Sequence, residues 1–227
     1  MRIFAPLLAA SLAALSPNCA AEPFTVRLGI ERVVFDTPPG FSDTTDLASP
    51  RLQDLADTLT PASNRILMFA LSDADVRNFT LGEQLDAKRY MIAVTPKALE
   101  RERVTPAQLS AFISDSLQNL GKRVETDDIV KYLDKQPIGQ AVLFAELKKD
   151  PAAVSVVQAT RLPPVPGKTM WEKPKPQYLF FTTTIFLLRG KAIQLAVYSL
   201  VDGPADLEWL KTITLRWYNE LQRLNAR

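Results

Sequence analysis

The chain contains no histidine, a single cysteine and only eight glycines among its 227 residues. Without histidine, it lacks the commonest general base, the usual partner of a catalytic serine or cysteine, and the commonest metal ligand. The few glycines form neither of the glycine-rich phosphate-binding patterns of nucleotide-dependent proteins. We therefore expect a protein that is not an enzyme and that holds no cofactor and no metal.

The chain also has no large excess of charge of one sign. Its 27 Lys and Arg side chains stand against 25 Asp and Glu, which gives a net charge of +2. A protein that neutralises many phosphates needs a clear basic excess, so we expect no nucleic-acid partner. The apolar share of 47% and the charged share of 23% are ordinary for a globular domain. A chain of this length buries enough surface to fold without disulfides or metal.

Residues 1–21 have the pattern of a secretory signal peptide. Arg2 precedes a mostly apolar run over residues 3–15, and small residues lead to Ala21. The run is too short to cross a bilayer, which needs about 20 residues. We expect cleavage before Glu22, which leaves a mature protein without cysteine or a transmembrane segment. This leader predicts export, to a bacterial periplasm or the medium.

Cys19 offers an alternative, a bacterial lipoprotein anchored through that cysteine. A small residue should then precede it and a leucyl or branched residue should stand three positions before it. Asn18 and Ser16 occupy those places. The pattern favours cleavage over a lipid anchor.

Hydrophobic periodicity and turn signals predict a single domain over residues 22–227. Strands and helices do not alternate regularly, which predicts an α+β fold. We expect an antiparallel β-sheet with helices packed on it, similar to an α/β/α sandwich, that closes with a long hairpin and an amphipathic C-terminal helix. The predicted strands cover residues 24–36, 65–71, 88–95, 154–162, 178–188 and 192–201, and the predicted helices cover residues 50–59, 106–120, 127–134, 141–149 and 204–224.

Residues 163–176 contain five of the 17 prolines and are predicted to form a loop. Prolines restrict the loop before any partner arrives, so a contact made there loses less entropy. The alternative is that Trp171 folds back and covers the sheet beneath its own loop. As a contact surface, the loop would use Met170 and Trp171 as apolar anchors, with Arg161, Lys168, Lys173 and Lys175 as a cationic rim.

Other side chains have simpler interpretations. Asp43, Asp46 and Asp202 are candidates for a pair of catalytic carboxylates, although a polar surface loop is the better explanation of Asp43 and Asp46. Asp73 and Asp75 fit the charged start of a helix better than a calcium loop. The aromatic residues of the last helix, Trp209, Trp217 and Tyr218, are predicted to pack against the sheet.

One family shares this layout. The first strand runs into the sequence FDTPPGF at residues 35–41, and the chain closes with an apolar hairpin and an amphipathic helix. Over residues 24–224 this layout resembles the Mog1/PsbP-like group, which are α/β/α sandwiches with an antiparallel sheet. The segment between residues 122 and 176 is longer than that group leads us to expect. The resemblance implies an accessory or assembly role through binding other proteins, without catalysis, and transfers no functional residue.

Three functional hypotheses follow. The first is a non-enzymatic binding or assembly protein that contacts another protein through the Pro-rich loop. The second is a carrier of a small apolar ligand, held between the hairpin at residues 178–201 and the terminal helix. The third is a hydrolase that uses carboxylates alone.

Cleavage of the leader is tested by the intact mass of the protein purified from its own compartment. We expect the mass of residues 22–227, because the small residues at positions 19 and 21 favour a cut before Glu22. A mass that includes residues 1–21, or one increased by lipid at Cys19, would contradict this prediction.

Overall fold

The computed structural model describes residues 22–118, 121–126, 128–166 and 174–226. Within them, the helices are α1 (Pro50–Thr58), α2 (Asp73–Thr80), α3 (Pro106–Leu117), α4 (Ile129–Leu133) and α5 (Pro204–Leu224), with single 3-10 turns at Thr45–Leu47 and Lys97–Leu99. The strands are β1 (Phe24–Leu28), β2 (Glu31–Phe35), β3 (Phe41–Asp43), β4 (Asn64–Ser72), β5 (Arg89–Pro96), β6 (Val142–Asp150), β7 (Ala153–Val165), β8 (Lys175–Leu188) and β9 (Lys191–Leu200).

Seven of these strands form one antiparallel sheet in the order β3-β4-β5-β9-β8-β7-β6, and β1 and β2 form a separate hairpin. The predicted long hairpin is confirmed, since β8 and β9 pair from Leu179 with Leu200 to Leu188 with Lys191. Arg189 and Gly190 both have positive φ, at 53° and 76°. Two left-handed residues give the turn twist that matches a two-residue hairpin.

Helices cover both faces of the sheet. In β4, Met68 and Ala70 pack into the same cluster as α5 and the β1-β2 hairpin, whereas Phe69 and Leu71 pack with α1. Because successive strand side chains point to opposite faces, α5 and α1 lie on opposite sides. Helix α3 packs over Val154, Val156 and Ile185 in a third cluster. The predicted α+β class, an antiparallel sheet between helical layers, is confirmed. Separately, no helix in the described part of the chain is long and apolar enough to span a membrane.

Three predicted elements are wrong in type or extent. Residues 24–36 form a hairpin instead of one strand, because Gly29 adopts a left-handed φ of 59° and reverses the chain. Residues 141–149 form the edge strand β6 instead of a helix, since pairing with β7 overrides the helical propensity of its Ala, Leu, Glu and Lys residues. The Pro-rich loop is shorter than residues 163–176: β7 reaches Val165 and β8 begins at Lys175, with a register shift that accommodates the prolines.

The buried side chain of Lys191 is hydrogen-bonded to the loop that follows β5. Lys191 is 2% exposed, and its ammonium donates to the carbonyls of Glu100 at 3.1 Å and Glu102 at 2.7 Å. The backbone N–H of Val104 also donates to the carbonyl of Gly190, at 2.8 Å. The turn before β9 and the first residue of that strand therefore hold this loop by three hydrogen bonds.

Lys191→Met should destabilise the protein. It removes two hydrogen bonds from a charged donor and leaves two carbonyls without it, so we expect a free energy of unfolding lower by about 2–4 kcal/mol in urea denaturation. Lys211→Met is the control, because Lys211 forms only an i,i+3 ion pair with Glu208 at 2.8 Å on the helix surface. Its effect should stay within about 0.5 kcal/mol. Equal effects of the two changes would contradict the account of Lys191.

Candidate binding groove

The predicted contact surface in the Pro-rich loop is described only at its ends. Lys168, Met170, Trp171 and Lys173 lie outside the described residues. Arg161 turns toward α4, where its Nη1 donates to the carbonyl of Asp134 at 2.8 Å. Lys175 is exposed and pairs with Val165 at the start of β8. The structure thus places Arg161 against the end of α4, and the contact surface of six residues stays a prediction.

The aromatic side chains of α5 pack against the rest of the domain, as predicted. Trp217 is 1% exposed, and its indole N–H donates to the carbonyl of Asp36 at 2.8 Å. Trp209 lies beneath the guanidinium of Arg89, whose Cζ is 4.0 Å from the ring centroid. Tyr218 meets Phe186 edge-on at 5.1 Å. All three side chains thus contribute to the packing of α5 against the rest of the domain.

The layer between the β8-β9 hairpin and α5 was the predicted place for a carried ligand. The facing side chains Phe180, Leu195, Leu210 and Leu221 are buried in one cluster. At the centre of the layer, the hydroxyls of Thr182 and Thr214 share a hydrogen bond of 2.7 Å. Direct packing between strand and helix therefore accounts for this apolar run without a ligand.

The candidate carboxylates have separate environments. Asp43 accepts the backbone N–H of Phe69 at 3.2 Å, whereas the Asp202 side chain is 80% exposed and lies 3.7 Å from Lys88. The side chain of Asp46 lies outside the described part. Asp73 and Asp75 lie in the first turn of α2, as predicted, and Asp75 also accepts the backbone N–H groups of Asp86 and Ala87 in the segment before β5. Among the described residues, no three Asp, Glu, Cys or His side chains are grouped to hold a metal.

A groove with a volume of about 620 Å³ lies at the β4 side of the domain. It runs between the β1-β2 hairpin on one face of the sheet and α1 on the other. Gln53 of α1 also borders two adjoining depressions of about 240 and 440 Å³. The lining consists of residues 24–27 of β1, residues 65–67 of β4, and Glu22, Thr37, Ser42, Asp43, Thr45 and Gln53. We call this cavity the edge groove.

Strand β4 borders the groove with an edge that is only partly paired. Strand β3 has three residues and pairs with Ala70, Leu71 and Ser72 alone. The backbone N–H of Thr44 extends this contact by one step, to the carbonyl of Phe69 at 2.8 Å. Within the described part of the chain, residues 64–68 of β4 have no strand on this side.

The charges of the groove nearly balance. Arg65 spans it, because its guanidinium donates to the carbonyl of Arg27 in β1 at 3.3 Å and also pairs with Glu100. The lining contains two basic side chains, Arg27 and Arg65, and two acidic ones, Glu22 and Asp43. The remaining polar lining is mostly hydroxyl and amide groups. Part of this polar capacity is already used within the domain, since the hydroxyl of Thr37 donates to the carbonyl of Phe41 and that of Ser42 donates to Asp73. The groove offers the rest of its donors and acceptors to an uncharged ligand.

Asp43 is the most buried acid of this lining. Burial raises the pKa of its carboxyl above the ordinary value, although hydrogen bonds from Thr45 and from the backbone N–H of Phe69 act in the opposite direction. Sequence reasoning identified this residue as a candidate but gave it the wrong context. Its hydrogen bonds hold β3 against β4, and no acid among the described side chains shares them.

Comparison with known proteins finds two similar solved structures. No family model and no curated protein sequence matches the chain. The crystal structure of the Saccharomyces cerevisiae Ran-binding protein Mog1p is 10% identical, with a TM-score of 0.34 over 91% of this chain and 93% of that one. A point mutant of protein Mog1 is 12% identical, with a TM-score of 0.36 over 91% and 94%. Both belong to the group that the sequence resembles in layout, and the likeness concerns the fold alone.

The raised pKa of Asp43 predicts a pH-dependent difference between wild type and Asp43→Asn. The native state of the wild type holds this proton to higher pH than the unfolded state, so its stability falls as pH rises through the raised pKa. Asparagine keeps an acceptor for Phe69 but does not ionise. Urea unfolding between about pH 4 and pH 7 should show the stability of the variant, relative to wild type, increasing with pH. A difference that is constant or decreases with pH would contradict this assignment.

Proposed function

We propose that this chain is an exported, non-enzymatic binding protein with an accessory role toward another protein, and that the edge groove is its binding site. The observation that carries the proposal is the lining of the groove. Two strand edges and a set of uncharged polar side chains border a cavity of about 620 Å³. Cavities of this size are typical of ligand sites.

The polar chemistry of the groove supports binding over catalysis. Thr25, Thr37, Ser42, Thr45 and Gln53 offer hydroxyl and amide groups, none of which is a general base at neutral pH. Asp43, the buried acid of the lining, already accepts a backbone N–H. The resemblance of the sequence to the Mog1/PsbP-like group implies the same class of role.

Export rests on the leader at residues 1–21. The Pro-rich segment remains a second proposed contact surface, with Met170 and Trp171 as anchors. The two surfaces belong to different parts of the sheet: the groove lies beside β4, whereas the segment joins β7 to β8, four and three strands away.

A photo-crosslinking amino acid at Gln53 tests the groove. Gln53 is exposed on α1 and borders all three depressions, whereas its exposed neighbour Asp54 borders none of them. Crosslinking in the native compartment should therefore join a second polypeptide to the chain from position 53 and not from position 54. Mass spectrometry would identify the product. No adduct from position 53, or equal adducts from both positions, would contradict the proposal, and a small-molecule adduct would favour a carrier.

A further inference from the structure

The outward edges of the β1-β2 hairpin follow from its register. A two-residue turn, Gly29 and Ile30, joins Leu28 to Glu31, and these flanking residues exchange hydrogen bonds. Bonded and non-bonded pairs alternate along an antiparallel ladder. The backbone groups of Thr25 and Arg27 in β1 therefore point away from β2, as do those of their partners Val34 and Arg32 in β2.

Two contacts confirm this register. On β2, Val34 donates its N–H to Oδ1 of Asn225 at 2.9 Å, and its carbonyl accepts from Nδ2 of the same side chain at 2.8 Å. On β1, the carbonyl of Arg27 accepts from the guanidinium of Arg65. Both strands thus present outward backbone groups at the expected positions, and at Val34 a side-chain amide takes the place of a neighbouring strand.

At the register pair of Thr25 and Val34, the edge of β1 is open, whereas Asn225 closes the edge of β2. Within the described part of the chain, no group bonds the N–H or carbonyl of Thr25 or the N–H of Arg27. Four successive residues of β1, 24–27, and three of β4, 65–67, line the edge groove. Because successive side chains point to opposite faces, a cavity lined by consecutive residues follows the strand edges. Four strand residues extend about 13 Å.

We propose that an extended, uncharged peptide segment of the partner protein binds in the edge groove by pairing its backbone with the open edge of β1 at Thr25 and Arg27. This inference rests on the proposed function and names the chemistry of the partner at that site. Alternating N–H and carbonyl groups of a strand edge are matched by another extended backbone. The lining holds two acids and two arginines, and one of these arginines, Arg65, already pairs with Glu100. The lining therefore has no excess of basic groups for an acidic segment, and the open backbone groups are its distinguishing feature.

Proline at Thr25 tests the open edge. It removes the outward N–H of Thr25 but no hydrogen bond between β1 and β2, and edge positions of this kind tolerate proline. It also removes the Thr25 hydroxyl, so methylation of the peptide backbone is used beside it to separate the two effects. Arg32→Pro is the matched control, because it removes the equivalent outward N–H on β2, whose residues do not line the groove. Urea unfolding of both variants confirms that they fold.

The probe is a set of short peptides selected from a random display library on the immobilised full chain, each labelled for fluorescence anisotropy. We expect Thr25→Pro to weaken binding at least tenfold and Arg32→Pro to change it less than twofold, as an edge-specific backbone contact requires. Methylation of the peptide backbone should weaken binding at alternate residues. This scan uses the wild-type chain and so does not depend on the folding of a variant.

Three results of the peptide experiments would overturn the inference. They are selection of no peptide, equal binding to wild type and Thr25→Pro, and tolerance of methylation at every peptide position. A dimer of the free chain that Thr25→Pro converts to a monomer would assign the edge to a second copy and also overturn it. Any of these results, together with a protein crosslinked specifically from Gln53, would leave the proposed function standing. Absence of that crosslink would instead contradict the function itself.

Discussion

The packing of α5 against the central strands β8 and β9 is the contact on which the position of the candidate site depends. Leu210, Trp217 and Leu221 bury the apolar side of the helix against the sheet. With its apolar side fixed, the helix presents two polar groups at defined places: the indole of Trp217 bonds Asp36, and the amide of Asn225 bonds Val34. These bonds hold the β1-β2 hairpin beside β4. The position of the edge groove therefore depends on the packing of α5, because that packing places the Trp217 and Asn225 side chains where they bond the hairpin.

The two outer edges of the β1-β2 hairpin differ in which of their outward backbone groups are hydrogen-bonded. Unpaired strand edges are sites where other chains pair, and natural proteins usually cover or shorten them. Asn225 bonds both outward backbone groups of Val34 on the edge of β2, and Arg65 occupies one carbonyl on the edge of β1. The rest of that edge faces a cavity that β3, with three residues, is too short to close. An open edge inside a groove admits one extended segment and excludes the flat sheet-to-sheet association that leads to aggregation.

The sequence predicts the parts of the fold whose local signals agree with their tertiary environment. The hairpin of β8 and β9 has two apolar runs around Gly190, and α5 repeats apolar residues at helical spacing, so both are correct. Strand β6 was misassigned because Ala, Leu, Glu and Lys favour helix locally, and only its pairing with β7 makes it a strand. The turn at Gly29 lacks an Asn-Gly or Asp-Gly pair, so the sequence pattern predicts one strand where the structure has two. The groove carries no signal in the sequence at all, because it joins residues of β1, β4 and α1 and depends on which edges remain unpaired, a property of topology.

Amide hydrogen exchange at single-residue resolution tests the central claim most directly. It follows Thr25, Arg27 and Arg32 in the free chain and in complex with its partner or a selected peptide. The outward N–H groups of Thr25 and Arg27 should exchange fast in the free chain and slow strongly on binding, because the bound segment accepts them. Arg32, on the other edge, should exchange at the same rate in both states. Unchanged exchange at Thr25 and Arg27 in a saturated complex would contradict the account.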